Sequence, residues 1–256
     1  MTIEPHIVVE LLALGSFTGF LAGLLGIGGS LIMVPFLTWM LARQGVSGAY
    51  VVHAAIATSL ATITLSSLSS LRAHHRRGVV RWPIVLALTP GIVLGAYLGS
   101  LLSSHMDGHL LGLIFGAFLL VSALQMVLNL KPKTTRQLPA TPGMLAAGGV
   151  IGGVSGMVGA GGGFLSVPFM TWCNVPIHNA VGTSAALGFP IALAGTVGYI
   201  VNGWHTPSMP SLSLGFVYVP ALLVIATASM SLAPVGARVA HSMDTRRLRY
   251  AFALLL

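Results

Sequence analysis

Charged side chains are nearly absent from this sequence. Its 256 residues include twelve Lys and Arg and four Asp and Glu, which is 6% of the chain, whereas a soluble domain carries about 25%. So few charges cannot cover a water-exposed surface, so an ordinary soluble domain is excluded. A hydrophobic content of 55% and a mean hydropathy of +0.92 predict a membrane protein instead.

Cysteine and acidic residues are also scarce. The single cysteine, Cys173, excludes an internal disulfide framework and a site with several thiolate ligands. Glu4 and Glu10 lie near the N-terminus, while Asp107 and Asp244 lie where predicted helices begin and are interpreted as helix caps. Little is left for general acid–base chemistry, so we expect no enzyme, metal site or cofactor. No nucleotide-binding motif is present either, so the chain cannot use ATP itself.

The basic residues form short clusters between apolar segments. A net charge of +8 could indicate nucleic-acid binding, but this spacing is typical of cytoplasmic loops in a membrane protein. We therefore expect membrane lipid, and not nucleic acid, around the chain.

Eight apolar segments are candidates for crossing the membrane. Two shorter apolar stretches, 30–42 and 163–173, each follow a glycine cluster. The last segment stops at Leu256 after about ten residues, which predicts a chain that continues further. The eight predicted spans are 7–26, 51–71, 82–104, 108–130, 140–158, 178–202, 212–234 and 246 onward.

The sequence contains an internal duplication. Residues 15–39 align without a gap with 148–172, and eleven of the 25 positions are identical, including the glycines and Pro-Phe-x-Thr-Trp. Further matches follow, with His53 equivalent to His178 and Gly99 equivalent to Gly236. We predict one repeat at 1–130, a cytoplasmic linker at 131–139 and a second repeat at 140–256, with its last helix truncated.

The charges distinguish two possible topologies. If 7–42 and 140–173 each cross the membrane once, the repeats are parallel and the twelve basic residues divide seven against five. If each is a hairpin, the second repeat is inverted and eleven basic residues share the cytoplasmic side, with only Arg43 outside. We therefore predict an all-α integral membrane protein with two inverted-topology repeats, each containing a glycine-broken helical hairpin plus three transmembrane helices.

The paired glycine motifs indicate a site for an anion. A helix that restarts after glycines near Ser30 or Gly163 would direct free backbone N–H groups into the membrane interior. The alternative is that the glycines only allow close helix packing. The Thr-Ser pairs of ATS (57–59) and GTS (182–184) could add hydroxyl donors, or could bond to their own helices. The predicted substrate-binding residues are Gly28, Gly29, Ser30, Thr58, Ser59, Gly161, Gly162, Gly163, Thr183 and Ser184.

Two pairs of histidines stand out in the sequence. His53 and His178 occupy equivalent positions, where a proton relay is conceivable, but we expect them at the ends of spans. His74 and His75 lie in a basic segment, where we expect exposure to solvent.

These motifs resemble the sulfite-exporter (TauE/SafE-like) permeases over nearly the whole chain. The resemblance rests on GIGGSLIMVPFL with ATSLATI, on GAGGGFLSVPFM with NAVGTSAALGFP, and on Gly-Ala-Arg at 236–238. It implies a multi-pass protein of the bacterial cytoplasmic (inner) membrane that exports sulfite, sulfoacetate or a related organosulfonate. One departure is Ser30, where the second repeat has Gly163.

The predicted function is secondary transport of a small sulfur-containing anion. A passive anion channel and a non-transporting membrane scaffold are the alternatives. Coupling to a proton, to a sodium ion or to the substrate gradient alone stays open, as does the oligomeric state.

Overall fold

The computed structural model describes residues 5–26, 29–127, 137–206 and 209–243. This part of the chain is almost entirely helical, with one small β-hairpin. Its elements are α1 (Pro5–Leu25), α2 (Ser30–Arg43), α3 (Val51–His75), α4 (Trp82–Ser104), α5 (Gly108–Val127), α6 (Thr141–Val158), α7 (Gly163–Trp172), α8 (Ile177–Gly203), β1 (Ser213–Leu214), β2 (Val217–Tyr218) and α9 (Val219–Ser242).

Six of these helices are long and apolar enough to cross a membrane: α1, α3, α4, α6, α8 and α9. Large apolar side chains remain exposed along them, such as Leu86 on α4 and Val150 on α6. Lipid is the solvent that such surfaces require. The chain is an all-α, multi-pass membrane protein, as predicted.

The predicted span 212–234 is wrong in its position. Helix α9 begins only at Val219, because Leu212 and Gly215 adopt positive φ angles of 71° and 56° and turn the chain into the hairpin of β1 and β2. Pro220 then lies in the first turn of α9, where its fixed φ angle favours a helix start. The predicted spans 7–26, 51–71, 82–104, 108–130, 140–158 and 178–202 each correspond to a helix. Residues 128–130 and the span after 246 lie outside the described residues.

Two helix pairs pack backbone against backbone. Helix α1 lies along α9, and α4 lies along α6. A Cβ atom at Gly19 of α1 would collide with the backbone of Ser229, and one at Gly95 of α4 would collide with Gly149 of α6. Each pair joins the first part of the chain to the second, so glycine packing holds the two predicted repeats together.

Helices α3 and α8 cross at the centre of the molecule in opposite directions. The side chain of Leu60 lies against Gly195, Ser67 lies against Gly188, and His74 lies against Gly182. The residue number therefore rises along α3 as it falls along α8. These two helices are equivalent in the internal duplication.

The glycine contacts between α4 and α6 predict a large difference between two Gly→Ala substitutions. In Gly152→Ala the new methyl group would lie 2.8 Å from Cα of Ile92, so we expect the helices to move apart at a cost of about 1–3 kcal/mol. Gly116 on α5 has nothing within 4 Å of its Cβ position, so Gly116→Ala is the matched control. Thermal unfolding in detergent measures both, and equal unfolding temperatures would contradict the backbone packing.

Candidate functional site

Glycines in left-handed conformations break the chain at equivalent points of the two predicted repeats. Gly26 and Gly29 lie between α1 and α2, with φ angles of 69° and 73°. Gly159 and Gly162 lie between α6 and α7, with φ angles of 73° and 76°. Side chains rarely adopt this conformation, which explains why glycine stands at all four positions. The predicted helix breaks are confirmed.

The helices that follow the breaks begin where the sequence predicted, at Ser30 and Gly163. Neither start is capped by a side-chain hydrogen bond. The first N–H groups of a helix have no partner within that helix, so each start offers donors and a partial positive charge. The Ser30 hydroxyl is fully buried and has no hydrogen-bond partner among the described residues.

A small cavity lies between the two glycine loops. Gly26 of the first loop and Gly161 of the second line it, together with Ser66, Ser67 and Ser70 of α3 and small residues of α8. Its volume is about 10 Å³, which is room for about one water molecule. A ligand of several atoms would fit only if the helices around the cavity moved apart.

The serine face of α3 was missed in the sequence. Residues 66, 67 and 70 recur at helical spacing, so their side chains share one face. The visible signal was LSSLSS at 65–70, four serines within five residues of an apolar span. The equivalent positions of α8 are Ile191, Ala192 and Gly195, so the duplication does not extend to this face.

Among the described residues, Gly161 is the one predicted site residue that lines the cavity. Gly29 and Gly162 precede the two helix starts, and Gly28 lies outside the described residues. No contact with a ligand tests any of them, so their role in binding stays a prediction. The four predicted site residues that carry hydroxyl groups on α3 and α8 are all fully buried, namely Thr58, Ser59, Thr183 and Ser184.

The two threonines join helices across the duplication. The hydroxyl of Thr58 accepts a hydrogen bond of 3.0 Å from the backbone N–H of Tyr218, just before α9. The hydroxyl of Thr183 accepts one of 3.0 Å from the N–H of Arg81, just before α4. Tyr218 and Arg81 are themselves equivalent positions. Both threonines therefore hold the start of a helix, whatever else their hydroxyl hydrogens contact.

The two serines beside them differ. Ser184 donates a hydrogen bond of 3.0 Å to the carbonyl of Gly26, and Ser166 of α7 donates one of 2.9 Å to the Ser184 hydroxyl. This chain ties α7 and α8 to the first glycine loop. The hydroxyl of Ser59, equivalent to Ser184, has no partner in the described structure. Buried hydroxyls normally have one, and Ser59 and Ser30 are two of the described side chains that lack it.

The histidines at 53 and 178 lie at the starts of α3 and α8, as expected for span ends. His53 is buried, its Nε2 lies 3.0 Å from the carbonyl oxygen of Ser103, and its ring stacks on Phe216. His178 is half-buried and stacks on His241, with ring centroids 6.2 Å apart.

The expected exposure of His74 is wrong. Helix α3 continues beyond the predicted end of its span at residue 71, and its last turn places His74 against α1 and α9 with 1% of its surface exposed. His75, on the other side of that turn, is exposed as expected and accepts a hydrogen bond of 3.2 Å from Trp82 Nε1.

Residues 11–256 match the sequence profile of a family described as sulfite exporter TauE/SafE. The chain belongs to the TauE/SafE family. It is 36% identical over 246 residues to a probable membrane transporter protein of Haemophilus influenzae, covering 96% of this chain and 93% of the relative. A probable membrane transporter protein of Methanocaldococcus jannaschii is 26% identical over 96% of this chain and 91% of its own length.

No solved structure matches the chain significantly. The relatives of this TauE/SafE protein carry the names of transporters, so the chain is a membrane transporter. The family description names an anion as its substrate.

The threonine contacts predict that Thr183 stabilises the fold. In Thr183→Val the N–H of Arg81 loses its acceptor, so we expect a loss of about 1–3 kcal/mol in stability, while Thr183→Ser retains most of it. Thr227→Val is the control, because Thr227 is exposed and bonds only within its own helix. Thermal unfolding of the purified variants measures the effect, and a Thr183→Val protein as stable as the control would refute it.

Proposed function

We propose that this protein is a secondary transporter that exports a small sulfur-containing anion, such as sulfite, sulfoacetate or a related organosulfonate. The observation that carries the proposal is the serine-lined cavity between the two glycine loops. The family description supports the substrate class, and the relatives named as transporters support the activity.

The donors around the cavity suit a weakly held anion. The serine face of α3 supplies hydroxyls, which in this structure donate to backbone carbonyls and would turn toward an anion when the cavity opens. The uncapped starts of α2 and α7 follow the two glycine loops that line the cavity and supply backbone N–H groups. An anion that enters an apolar region needs such donors to replace its water. Hydroxyls and amides lack the full charge of Arg, so the anion can also leave, which transport requires.

We further propose that the two repeats are inverted. The antiparallel crossing of the equivalent helices α3 and α8 supports this arrangement, because parallel repeats would give equivalent helices the same direction. The contact between His74 and His241 also supports it, since it brings together two segments that parallel repeats would place on opposite sides. The same arrangement leaves eleven of the twelve basic residues on one side.

Labelling from each side of the membrane tests the inverted repeats. In a Cys173→Ser background, single cysteines replace Arg76, Ser242 and His205, which are all exposed. We expect an impermeant thiol reagent to reach positions 76 and 242 from the same side and position 205 from the other. Positions 76 and 242 on opposite sides would refute the inversion and favour parallel repeats.

Flux into proteoliposomes tests the function. Purified protein is reconstituted, and uptake of sulfite, sulfoacetate, taurine and sulfate is compared under imposed proton and sodium gradients. We expect saturable uptake and counterflow of sulfite or a sulfonate. Flux that does not saturate and shows no counterflow would favour a passive channel, and no flux of any of them would overturn the proposal.

The serine face predicts the phenotype of Ser67→Ala. Hydrogen bonds to charged groups contribute about 1.5–3 kcal/mol, so loss of this hydroxyl should weaken apparent affinity on the order of tenfold. Ser231→Ala is the matched control, because Ser231 is exposed on α9 and bonds only to the carbonyl of Thr227. Equal KM values for the two variants would exclude the serine face from the site.

A further inference from the structure

A buried histidine follows the serine face of α3 at one end of the cavity. Ser70 and His74 are four residues apart, so their side chains lie on the same face of α3. Ser70 donates a hydrogen bond of 3.5 Å to the carbonyl of Ala22, and His74 Nε2 lies 3.0 Å from the carbonyl oxygen of Gly23. Ala22 and Ser70 both line the cavity, so His74 lies one helical turn beyond it along α3.

His74 also holds the end of α9. Its Nδ1 lies 3.2 Å from Nε2 of His241, and the Arg77 guanidinium donates a hydrogen bond of 2.6 Å to the carbonyl of Ala237. The ring of His178 on α8 stacks against the ring of His241. The ends of α1, α3 and α9 and the start of α8 therefore meet at these three histidines.

The partners of His74 fix where its hydrogens lie. The Gly23 carbonyl can only accept, so Nε2 of His74 carries a hydrogen and donates it. In the neutral pair, Nδ1 of His74 then accepts from Nε2 of His241. One added proton enters at Nδ1 of the less buried His241, whose Nε2 still donates to Nδ1 of His74. The contact survives in both states because one hydrogen lies between the rings.

A second added proton breaks the contact. Both facing nitrogens then carry hydrogens, and two positive rings oppose each other at close range. The groups around them add repulsion: Arg77 follows α3, Arg238 lies one turn earlier on α9, and His178 lies on α8. The last turn of α1 contributes no ionisable side chain. The described acidic residues, Glu10 and Asp107, belong to other parts of the fold and do not compensate.

We propose that His74 and His241 form a proton-operated closure of the serine-lined cavity. The neutral or singly protonated pair holds this end shut, and the second proton releases α9 from α3 and opens the end toward solvent. The positive charge that opens it also attracts an anion. This inference rests on the proposed function in that the cavity is taken as the path of the anion.

Accessibility of a cysteine at position 70 tests the closure without any substrate. Ser70→Cys in the Cys173→Ser protein is treated with a small methanethiosulfonate, and its rate of reaction is divided by that of Arg76→Cys, which lies in an exposed turn. Dividing one rate by the other removes the change of thiol reactivity with pH that the two cysteines share. We expect the ratio to rise on the order of tenfold between about pH 8 and about pH 4, because burial and the mutual repulsion of the two rings make the second proton harder to add than to a free histidine.

Three further variants test which histidines cause the rise in the ratio. His241→Gln and His74→Gln each keep a hydrogen-bonding side chain but cannot take the second proton, so the ratio should stay low at both pH values. His75→Gln, which changes the exposed neighbour, should keep the rise. A ratio independent of pH in the parent, or the same rise in both His241→Gln and His74→Gln, would overturn the proposal.

The outcome is separate from that of the flux assay. A rise in accessibility with no anion flux would leave the closure in place and refute the proposed function. Flux of sulfite together with accessibility that does not respond to pH would refute only the closure.

Discussion

Two broken helices impose the main constraint on this structure. A helix start has N–H groups without partners in its own helix, and within hydrocarbon each such group costs several kcal/mol. The starts of α2 and α7 therefore have to be surrounded by protein or face a polar cavity. Both conditions hold here: α3 and α8 pack against the two short helices, and both glycine loops line the same cavity.

The residues around the two helix breaks are equivalent where they bind backbone groups and differ where they line the cavity. Thr58 and Thr183 make the same bond to equivalent helix starts. The cavity, by contrast, has Ser66 and Ser67 on α3, while the same positions of α8 carry Ile191 and Ala192. The two walls of the cavity therefore differ, with hydroxyl groups on α3 and the small apolar residues Ala185 and Gly188 on α8. The sulfonate that we propose as a substrate, with an oxyanion end and a less polar remainder, would fit this difference.

Much of the fold could be predicted because its determinants are local. Apolar length located five of the six long helices, and glycine clusters located both helix breaks, since left-handed backbone conformations need glycine. The start of α9 was misplaced because apolar residues of a β-hairpin have the same hydropathy as a helix. Burial of His74 could not be predicted, because it depends on α1 and α9, which are distant in sequence.

The candidate site was harder to predict for the same reason. Repetition directed attention to Thr58 and Thr183, yet their contacts are with backbone groups that only the fold brings near. The serine face has no counterpart in the second repeat, so a search for duplicated residues overlooked it. Duplicated residues indicate the contacts that both repeats need in order to fold. A site between the repeats also uses residues that occur in only one of them.

The packing also limits how such a protein can move. The backbone contacts join α1 to α9 and α4 to α6, so each close pair contains one helix from each predicted repeat. Contacts at this distance cannot slide without steric collision. Helix α3 packs on α9 and α8 packs on α4, which completes two groups of mixed origin. The interface between these groups is the crossing of α3 and α8, where the cavity lies. Separation there would open the cavity while the backbone contacts of α1 with α9 and of α4 with α6 stay in place. If the protein transports by alternating access, as proposed above, the two mixed groups, and not the two repeats, are therefore the units that would move.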